Sequence, residues 1–139
     1  MPPTHHVIKI LGCNPSNGNL RLDKPCLKAN SGDTVQWIRL GNSGVDSIQD
    51  IREKDGINDV WTTRPLGQNN WKGEIISNVP HDYDYDYNIT WKKGTVTYVY
   101  DPKISINPTS TYSNKIFITL ITLLGLSSIL FFLNKKIRK

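Results

Sequence analysis

Side chains that bind metals or act as nucleophiles are scarce in this sequence. The 139 residues include two cysteines, three histidines and a single methionine, Met1. There is no GxSxG or HExxH motif, no glycine-rich phosphate loop, and no Cys–His pair at a useful spacing. Neither Cys13 nor Cys26 belongs to a CxxC pair, so a zinc site is not expected. The sequence therefore predicts a protein that is not an enzyme and needs no cofactor.

Charge is absent from one long stretch near the C-terminus. Residues 116–133 read IFITLITLLGLSSILFFL, with no charged side chain and no polar helical face. Eighteen residues of α-helix span about 27 Å, close to the hydrocarbon thickness of a bilayer. Cationic side chains that can reach lipid phosphates flank the stretch: Lys115, Lys135, Lys136, Arg138 and Lys139. We therefore expect residues 115–139 to form a transmembrane helix with a basic tail.

The basic character of the chain belongs to this segment alone. Residues 1–114 contain 12 Lys and Arg and 12 Asp and Glu side chains, so the rest of the chain carries the whole net charge of +5. No basic patch with interleaved aromatic residues occurs in residues 1–114, which gives no support to nucleic-acid binding. The expected partner of the basic end is the lipid bilayer.

Two features of the sequence favour opposite sides of the membrane for the head. The N-terminal residues MPPTHHVIKILG lack the basic start and long apolar core of a signal peptide. This favours a tail-anchored, single-pass protein of a bacterial inner membrane, with its head in the cytosol. The positive-inside rule instead keeps the basic C-terminus in the cytosol. A Cys13–Cys26 disulfide would suit an exported head, whereas two free thiols would suit the cytosol, and the sequence favours neither.

Short stretches with strand character recur through residues 1–107, and turn residues separate them. Nine candidate stretches, which give seven or eight strands in about 105 residues without an amphipathic helix, predict an all-β head. It is either a sandwich of two sheets in Greek-key order or a small barrel. Residues 108–114 have the composition of a linker. The candidate strands are 6–11, 19–22, 34–40, 46–51, 59–62, 74–77, 85–92, 95–100 and 103–107. The expected core consists of Val7, Ile10, Val35, Trp37, Ile75, Tyr87, Ile89, Trp91, Val96 and Tyr98.

Three stretches of the head carry a family resemblance. Ser31–Trp37 reads SGDTVQW, Tyr85–Trp91 reads YDYNITW, and Tyr100–Asn107 reads YDPKISIN. The first resembles the start of a strand in cupredoxins, and the other two resemble the last strands of small cupredoxin-like bacterial proteins. The resemblance covers most of residues 7–107. It implies a sandwich of cupredoxin-like or immunoglobulin-like type.

The copper ligands of that family have no counterpart in this chain. The family holds copper with a His after the Trp strand and a Cys-His-Met cluster near the last hairpin, because thiolate and imidazole suit copper. The stretch after Trp37, IRLGNSGVDSIQDI, contains no His, and the last hairpin, NITWKKGTVTYVYDP, contains no Cys, His or Met. A copper or redox protein is therefore disfavoured.

Three aspartates alternate with tyrosines in residues 82–87. On an extended chain Asp82, Asp84 and Asp86 point to one face, about 6–7 Å apart. They could form a solvated strand face, a surface for a basic partner, or a set of oxygen ligands for Ca²⁺. No glycine-punctuated calcium loop is present, so a metal site is not expected.

Two tryptophans lie in DVWTTRPLGQNNWKGE, a stretch with loop composition. Trp61 and Trp71 either close the open ends of the sandwich or, with Arg64 and Gln68, stack on a ligand ring or anchor a partner. Because binding residues concentrate in loops on a rigid scaffold, we expect recognition within residues 42–73.

The apolar segment also has a stripe of small and hydroxyl-bearing residues. Thr119, Thr122, Gly125 and Ser128 recur every third position and would let two helices approach closely. An inert anchor and a self-associating helix that makes a homo-oligomer both remain open.

These features together favour a non-enzymatic, membrane-anchored recognition module that binds an unidentified protein or small ligand. The alternative is a membrane-perturbing effector, pore-forming or depolarising, of a bacterial antiviral or stress defence system, by analogy of architecture alone. A passive subunit of a membrane complex is a further alternative.

Overall fold

The structure is a computed structural model of the 139-residue chain, and it describes residues 2–54, 59–79 and 83–108. The predicted transmembrane segment 116–133 lies outside these ranges, with Thr119, Thr122, Gly125 and Ser128. Asp82 lies outside them as well. No helix within the described ranges is long and apolar enough to cross a membrane.

Ten β-strands and a single 3₁₀ turn, Gly67–Asn69, make up the regular structure of the described residues. The strands are β1 (His5–Asn14), β2 (Asn19–Leu22), β3 (Cys26–Asn30), β4 (Thr34–Arg39), β5 (Ser47–Glu53), β6 (Trp61–Thr63), β7 (Lys72–Ile75), β8 (Tyr83–Lys93), β9 (Val96–Tyr100) and β10 (Lys103–Asn107). The first sheet has the order β2-β1-β4-β7-β6, and the second has β3-β10-β8-β5, with β9 also on β8. Both sheets are mixed, because β1 pairs with β4 and β3 with β10 in parallel. The prediction of an all-β, two-sheet head is confirmed.

Strand β8 runs through the middle of the second sheet and contributes much of the core. Its side chains Tyr85, Tyr87, Ile89 and Trp91 are each at most 1 % exposed, as their alternation with polar residues predicts. The indole of Trp37, on the first sheet, donates a hydrogen bond to the Tyr87 hydroxyl at 3.1 Å. Burial raises the pKa of Tyr87 far above its usual value. Polar groups of the aromatic core are therefore paired across the two sheets.

Two predicted core positions are wrong. Val7 is only partly buried, whereas Ile8 and Ile10 are fully buried, because residues one apart on a strand face opposite sides. Val96 is 50 % exposed at the start of β9, beside the hairpin turn. Tyr98 packs on the core only partly, stacked on Trp91 with ring centroids 4.4 Å apart.

The turn between β3 and β4 connects the two sheets. Asp33, in SGDTVQW, is 2 % exposed, and its carboxylate accepts hydrogen bonds from the backbone N–H groups of Thr4 and Asn30 and from His6 Nε2, each at 2.8 Å. Burial alone would raise the pKa of Asp33, but these donors outweigh it and lower the pKa. The amide of Gly32, with φ +84°, donates to the Ile75 carbonyl. The buried aspartate and the glycine therefore have structural roles.

The two cysteines are free thiols on different sheets. Cys13 lies on β1 and is partly buried, whereas Cys26 lies on β3 and is exposed. Of the two states that the sequence left open, the structure has the one without a disulfide.

Candidate functional site

The loop of residues 64–71, between β6 and β7, brings together three of the predicted binding residues. Arg64 begins this loop, Gln68 lies in its 3₁₀ turn, and Trp71 ends it just before β7. Asp84 and Asp86 lie on β8 of the other sheet. The predicted site residues therefore form two separate groups, and we name residues 64–71 the recognition loop.

Arg64 ties the start of the recognition loop to the rest of the head. Its Nε donates to Asp59 Oδ2 at 2.7 Å, and its Nη2 donates to Glu53 Oε1 on β5 at 3.3 Å. The hydrogen bond with Asp59 is the largest cause that raises the pKa of Arg64, and the charge of Glu53 adds to it. Because two carboxylates already neutralise the guanidinium, Arg64 positions the loop and offers little free charge to a partner.

Asn69 closes the turn inside the loop. Its side-chain Oδ1 accepts a hydrogen bond from the Leu66 N–H at 2.7 Å, and its Nδ2 donates to the Arg64 carbonyl at 2.8 Å. Its backbone N–H donates to the Leu66 carbonyl at 3.1 Å. The Asn69 side chain thus pairs with the Leu66 N–H and the Arg64 carbonyl, two backbone groups that have no partner within so short a helix.

The end of the loop holds two successive residues in the left-handed region, Asn70 with φ +55° and Trp71 with φ +57°. This conformation costs a residue with a Cβ about 1–2 kcal/mol. Contacts at both residues hold it in place. The Trp71 N–H donates to the Leu66 carbonyl at 2.9 Å, and the Trp71 carbonyl accepts from the Trp37 N–H at 3.1 Å. The Asn70 carbonyl accepts from the Gln36 side chain at 3.2 Å.

The recognition loop presents a mixed surface. Leu66 is 41 % exposed, Gln68 is exposed, and Trp71 is partly buried against the core. The indole lies over Gly67, where an added methyl group would come within 3.3 Å of Trp71 Cζ2. A shallow pocket of about 190 Å³ lies beside the loop, lined by Thr34, Thr63, Asn69, Lys72, Gly73 and Glu74. The fixed backbone of the loop therefore carries an apolar side chain, Leu66, an indole, Trp71, and an amide, Gln68.

Trp61 is a core residue. It is 7 % exposed, its Nε1 donates to the Tyr85 hydroxyl at 2.9 Å, and its ring meets Trp37 edge-on at 5.8 Å. A methyl group on Gly73 would come within 2.8 Å of the Trp61 ring. Of the two interpretations that the sequence left open for Trp61, burial favours packing, because only a glycine next to it leaves room for the indole.

Asp84 and Asp86 share an exposed strand face, as their alternation predicts. Asp84 accepts hydrogen bonds from Ser105 and, at 3.2 Å, from Lys103 on the neighbouring strand β10. The Ser105 hydrogen bond comes first among the causes that lower the pKa of Asp84, followed by Lys103. In the described part of the chain, no group of three or more Asp, Glu, His or Cys side chains is arranged to hold a metal ion. Asp84 is therefore already paired within its own sheet.

Comparison with known proteins adds no relative from which a role could be carried over. No protein-family model matches the chain, and no curated protein matches it.

Proposed function

We propose that this protein is a non-enzymatic recognition module, anchored in a membrane by residues 116–133, whose binding surface is the recognition loop. The observation that carries the proposal is the pair of left-handed residues, Asn70 and Trp71. Strained non-glycine backbone persists where its surroundings hold it in place, and such positions concentrate at binding sites. Hydrogen bonds from β4 hold the end of the loop, and Glu53 on β5 and Asp59 hold its start. Hydrogen bonds within the turn hold its middle.

Rigidity of this kind favours binding. A loop that is already ordered loses less conformational freedom when a partner docks, so more of the contact energy appears as affinity. Trp71 and Leu66 supply the apolar contact that interface centres use, and Gln68 supplies a polar group at their side. The carboxylate of Asp84 is already paired with Lys103 and Ser105, so it is less available to a partner.

For the remaining architecture we propose a cupredoxin-like sandwich without copper, tail-anchored in a membrane. The mixed sheets and the connecting turn at Ser31–Asp33 support the first part. The charge-free run of residues 116–133 and its basic flank support the second.

Two matched glutamines test the recognition surface. A photoreactive residue replaces Gln68, in the loop, or Gln49, exposed on β5 of the other sheet. We expect irradiation of cells that make the full chain to give a discrete adduct from position 68 and none from position 49. Trp71→Ala should remove the adduct. Equal adducts from both positions, or an adduct that persists in Trp71→Ala, would refute the loop as the binding surface.

The anchor is tested separately with the full chain. Alkaline carbonate extraction should leave the protein in the membrane pellet. Leu124→Arg places a cation within the apolar run, at a cost of about 2.5–3.5 kcal/mol, and should release part of it. Complete extraction of the unmodified chain would refute the membrane anchor and leave the recognition loop unaffected.

A further inference from the structure

A cleft opens on the first sheet where β4 separates from β1. Strand β1 pairs with β4 only as far as Ile10 opposite Arg39, and continues with β2 alone to Asn14. The β1–β2 register shifts between Ile10 and Gly12, which marks a bulge at Leu11. The space between this hairpin and the β4–β5 loop measures about 470 Å³. The cleft is open to solvent, so it would bury only part of a small molecule.

Polar and apolar groups contribute about equally to the lining of the cleft, and its residues include no acid. Alongside Leu11, Gly12 and Leu20, it consists of Cys13, Asn14, Asn19, Arg21, Asn42 and Ser43. The guanidinium of Arg21 lies over Gly12, where an added methyl group would be 3.5 Å from Arg21 Nε. Its hydrogen bond to the Leu11 carbonyl is long, at 3.4 Å. Within the described residues Arg21 has no salt bridge, in contrast to Arg64.

A second cation, Lys93, lies near Cys13 at one wall of the cleft but is not among the lining residues. A methyl group on Gly44 would lie 3.3 Å from Cys13 Sγ and 3.7 Å from Lys93 Nζ, so the thiol and the ammonium approach the same point of the loop. Among the described residues Lys93 has no salt bridge either. The acid at the end of this loop, Asp46, accepts a hydrogen bond from the Gly94 amide at 2.6 Å. In the part of the chain that the structure describes, no carboxylate lies within salt-bridge distance of Arg21 or Lys93.

The loop that forms this wall is held in place. Arg39 Nη1 donates to the Val45 carbonyl at 2.8 Å, and Ser43 is only 3 % exposed. Gly44 has φ +72°, so the backbone passes close to Cys13 where a side chain would not fit without strain. The wall of the cleft is thus preformed.

We propose that this cleft is a binding site for a small organic anion that bears a phosphate or carboxylate group. Arg21 provides a planar donor fork that matches either oxyanion, and Lys93 adds a second positive charge. The asparagine amides supply further hydrogen bonds for the rest of the ligand. Residues 1–114 have balanced charge, so attraction at this cleft is local. This site is separate from the recognition loop and does not depend on its role.

The two free thiols allow a test with an internal control. Cys13 lines the cleft, whereas Cys26 lies opposite Lys103, whose ammonium is paired with Asp84. Full-length Cys26→Ser and Cys13→Ser variants each leave one thiol. The remaining thiol of each variant is treated in separate reactions with a dianionic disulfide reagent, 5,5′-dithiobis(2-nitrobenzoate), and with a neutral one, 4,4′-dithiodipyridine. We expect the ratio of anionic to neutral rates to be about three- to tenfold higher at Cys13 than at Cys26.

Ligand protection completes the test. At constant ionic strength, pyrophosphate or citrate should slow the modification of Cys13 by the neutral reagent and leave Cys26 unchanged, and the stronger of the two identifies the preferred oxyanion. Arg21→Gln should abolish both the rate ratio and the protection, whereas Lys28→Gln, which removes an exposed cation on β3, should change neither. Equal protection by sodium chloride, or full protection in a folded Arg21→Gln variant, would overturn the proposal.

Discussion

The buried carboxylate of Asp33 is a group whose removal should strongly destabilise the head. It is 2 % exposed and accepts hydrogen bonds from Thr4, Asn30 and His6. Asp33→Ala leaves two backbone N–H groups without an acceptor and removes the contact with His6. Breaking a buried charged interaction of this kind costs about 3–5 kcal/mol. Since small domains have about 5–15 kcal/mol of total stability, the variant should be close to unfolding.

The pH dependence of the same group has a definite sign. Its pKa is lower in the folded protein than its ordinary value of 3.8, so the unfolded chain binds a proton more readily. The stabilisation by Asp33 is therefore fully present above about pH 5 and is lost as pH falls through the folded pKa. Asp33→Asn keeps the shape and one acceptor, so it should lose less than Asp33→Ala and should flatten the acid limb of the stability curve.

Both the loss of stability and its pH dependence can be measured by urea unfolding of the full chain in detergent. Tryptophan fluorescence reports the unfolding, and the measurement is repeated between pH 7 and pH 3. All four tryptophans lie in the described residues and report on the head. Asp50→Ala is a matched control, because Asp50 forms an ion pair with Arg52 at the surface. It should cost at most about 1 kcal/mol. A loss below about 1 kcal/mol for Asp33→Ala, or an unchanged acid limb for Asp33→Asn, would refute the reasoning.

Substitutions at three further positions test the packing and the loop, each by the same unfolding measurement. Gly73→Ala should cost about 1–3 kcal/mol by overpacking against the Trp61 ring, which lies 2.8 Å from the added methyl position, and an unchanged stability would contradict this geometry. Tyr87→Phe should cost about 1–3 kcal/mol because it leaves the Trp37 indole N–H buried without its acceptor, and a smaller loss would show that another acceptor replaces it. Asn70→Gly should be as stable as the unmodified protein or slightly more stable, because glycine adopts the left-handed conformation without strain. Asn70→Ala should lower the free energy of unfolding by about 1 kcal/mol. Equal stability of the two variants would argue against the left-handed conformation.

Patterns confined to one strand could be predicted from the sequence. The alternation in β8 correctly identifies Tyr87, Ile89 and Trp91 as core residues, because alternate residues of a strand share one face. Tyr85 lies on the same face and is also buried, although the predicted core did not include it. Strand β3, Cys26–Asn30, was not predicted. Its residues, CLKAN, include no β-branched or aromatic side chain, and its conformation comes from parallel pairing with β10, far along the chain.

The candidate sites show the same division between local and distant information. Trp71 and Gln68 could be proposed from loop composition, but the left-handed backbone that holds Trp71 depends on hydrogen bonds from Gln36 and Trp37 in another strand. The cleft beside Cys13 was not predicted at all. It arises from the bulge at Leu11 and from the point where β4 separates from β1, and neither has a local sequence signal.

Two arginines illustrate why charge in a sequence does not identify a binding residue. Arg64 stands in a loop beside tryptophans and amides, yet Asp59 and Glu53 already neutralise its guanidinium. Arg21 stands in an ordinary strand, yet it faces a cleft without an acid, and its hydrogen bond to a carbonyl is long. A partner's carboxylate would have to displace existing ion pairs at Arg64 but, among the described residues, none at Arg21. We therefore expect an anion to bind at Arg21 rather than at Arg64. The two surfaces should therefore differ in chemistry: apolar and amide contacts at the recognition loop, and oxyanion contacts at the cleft.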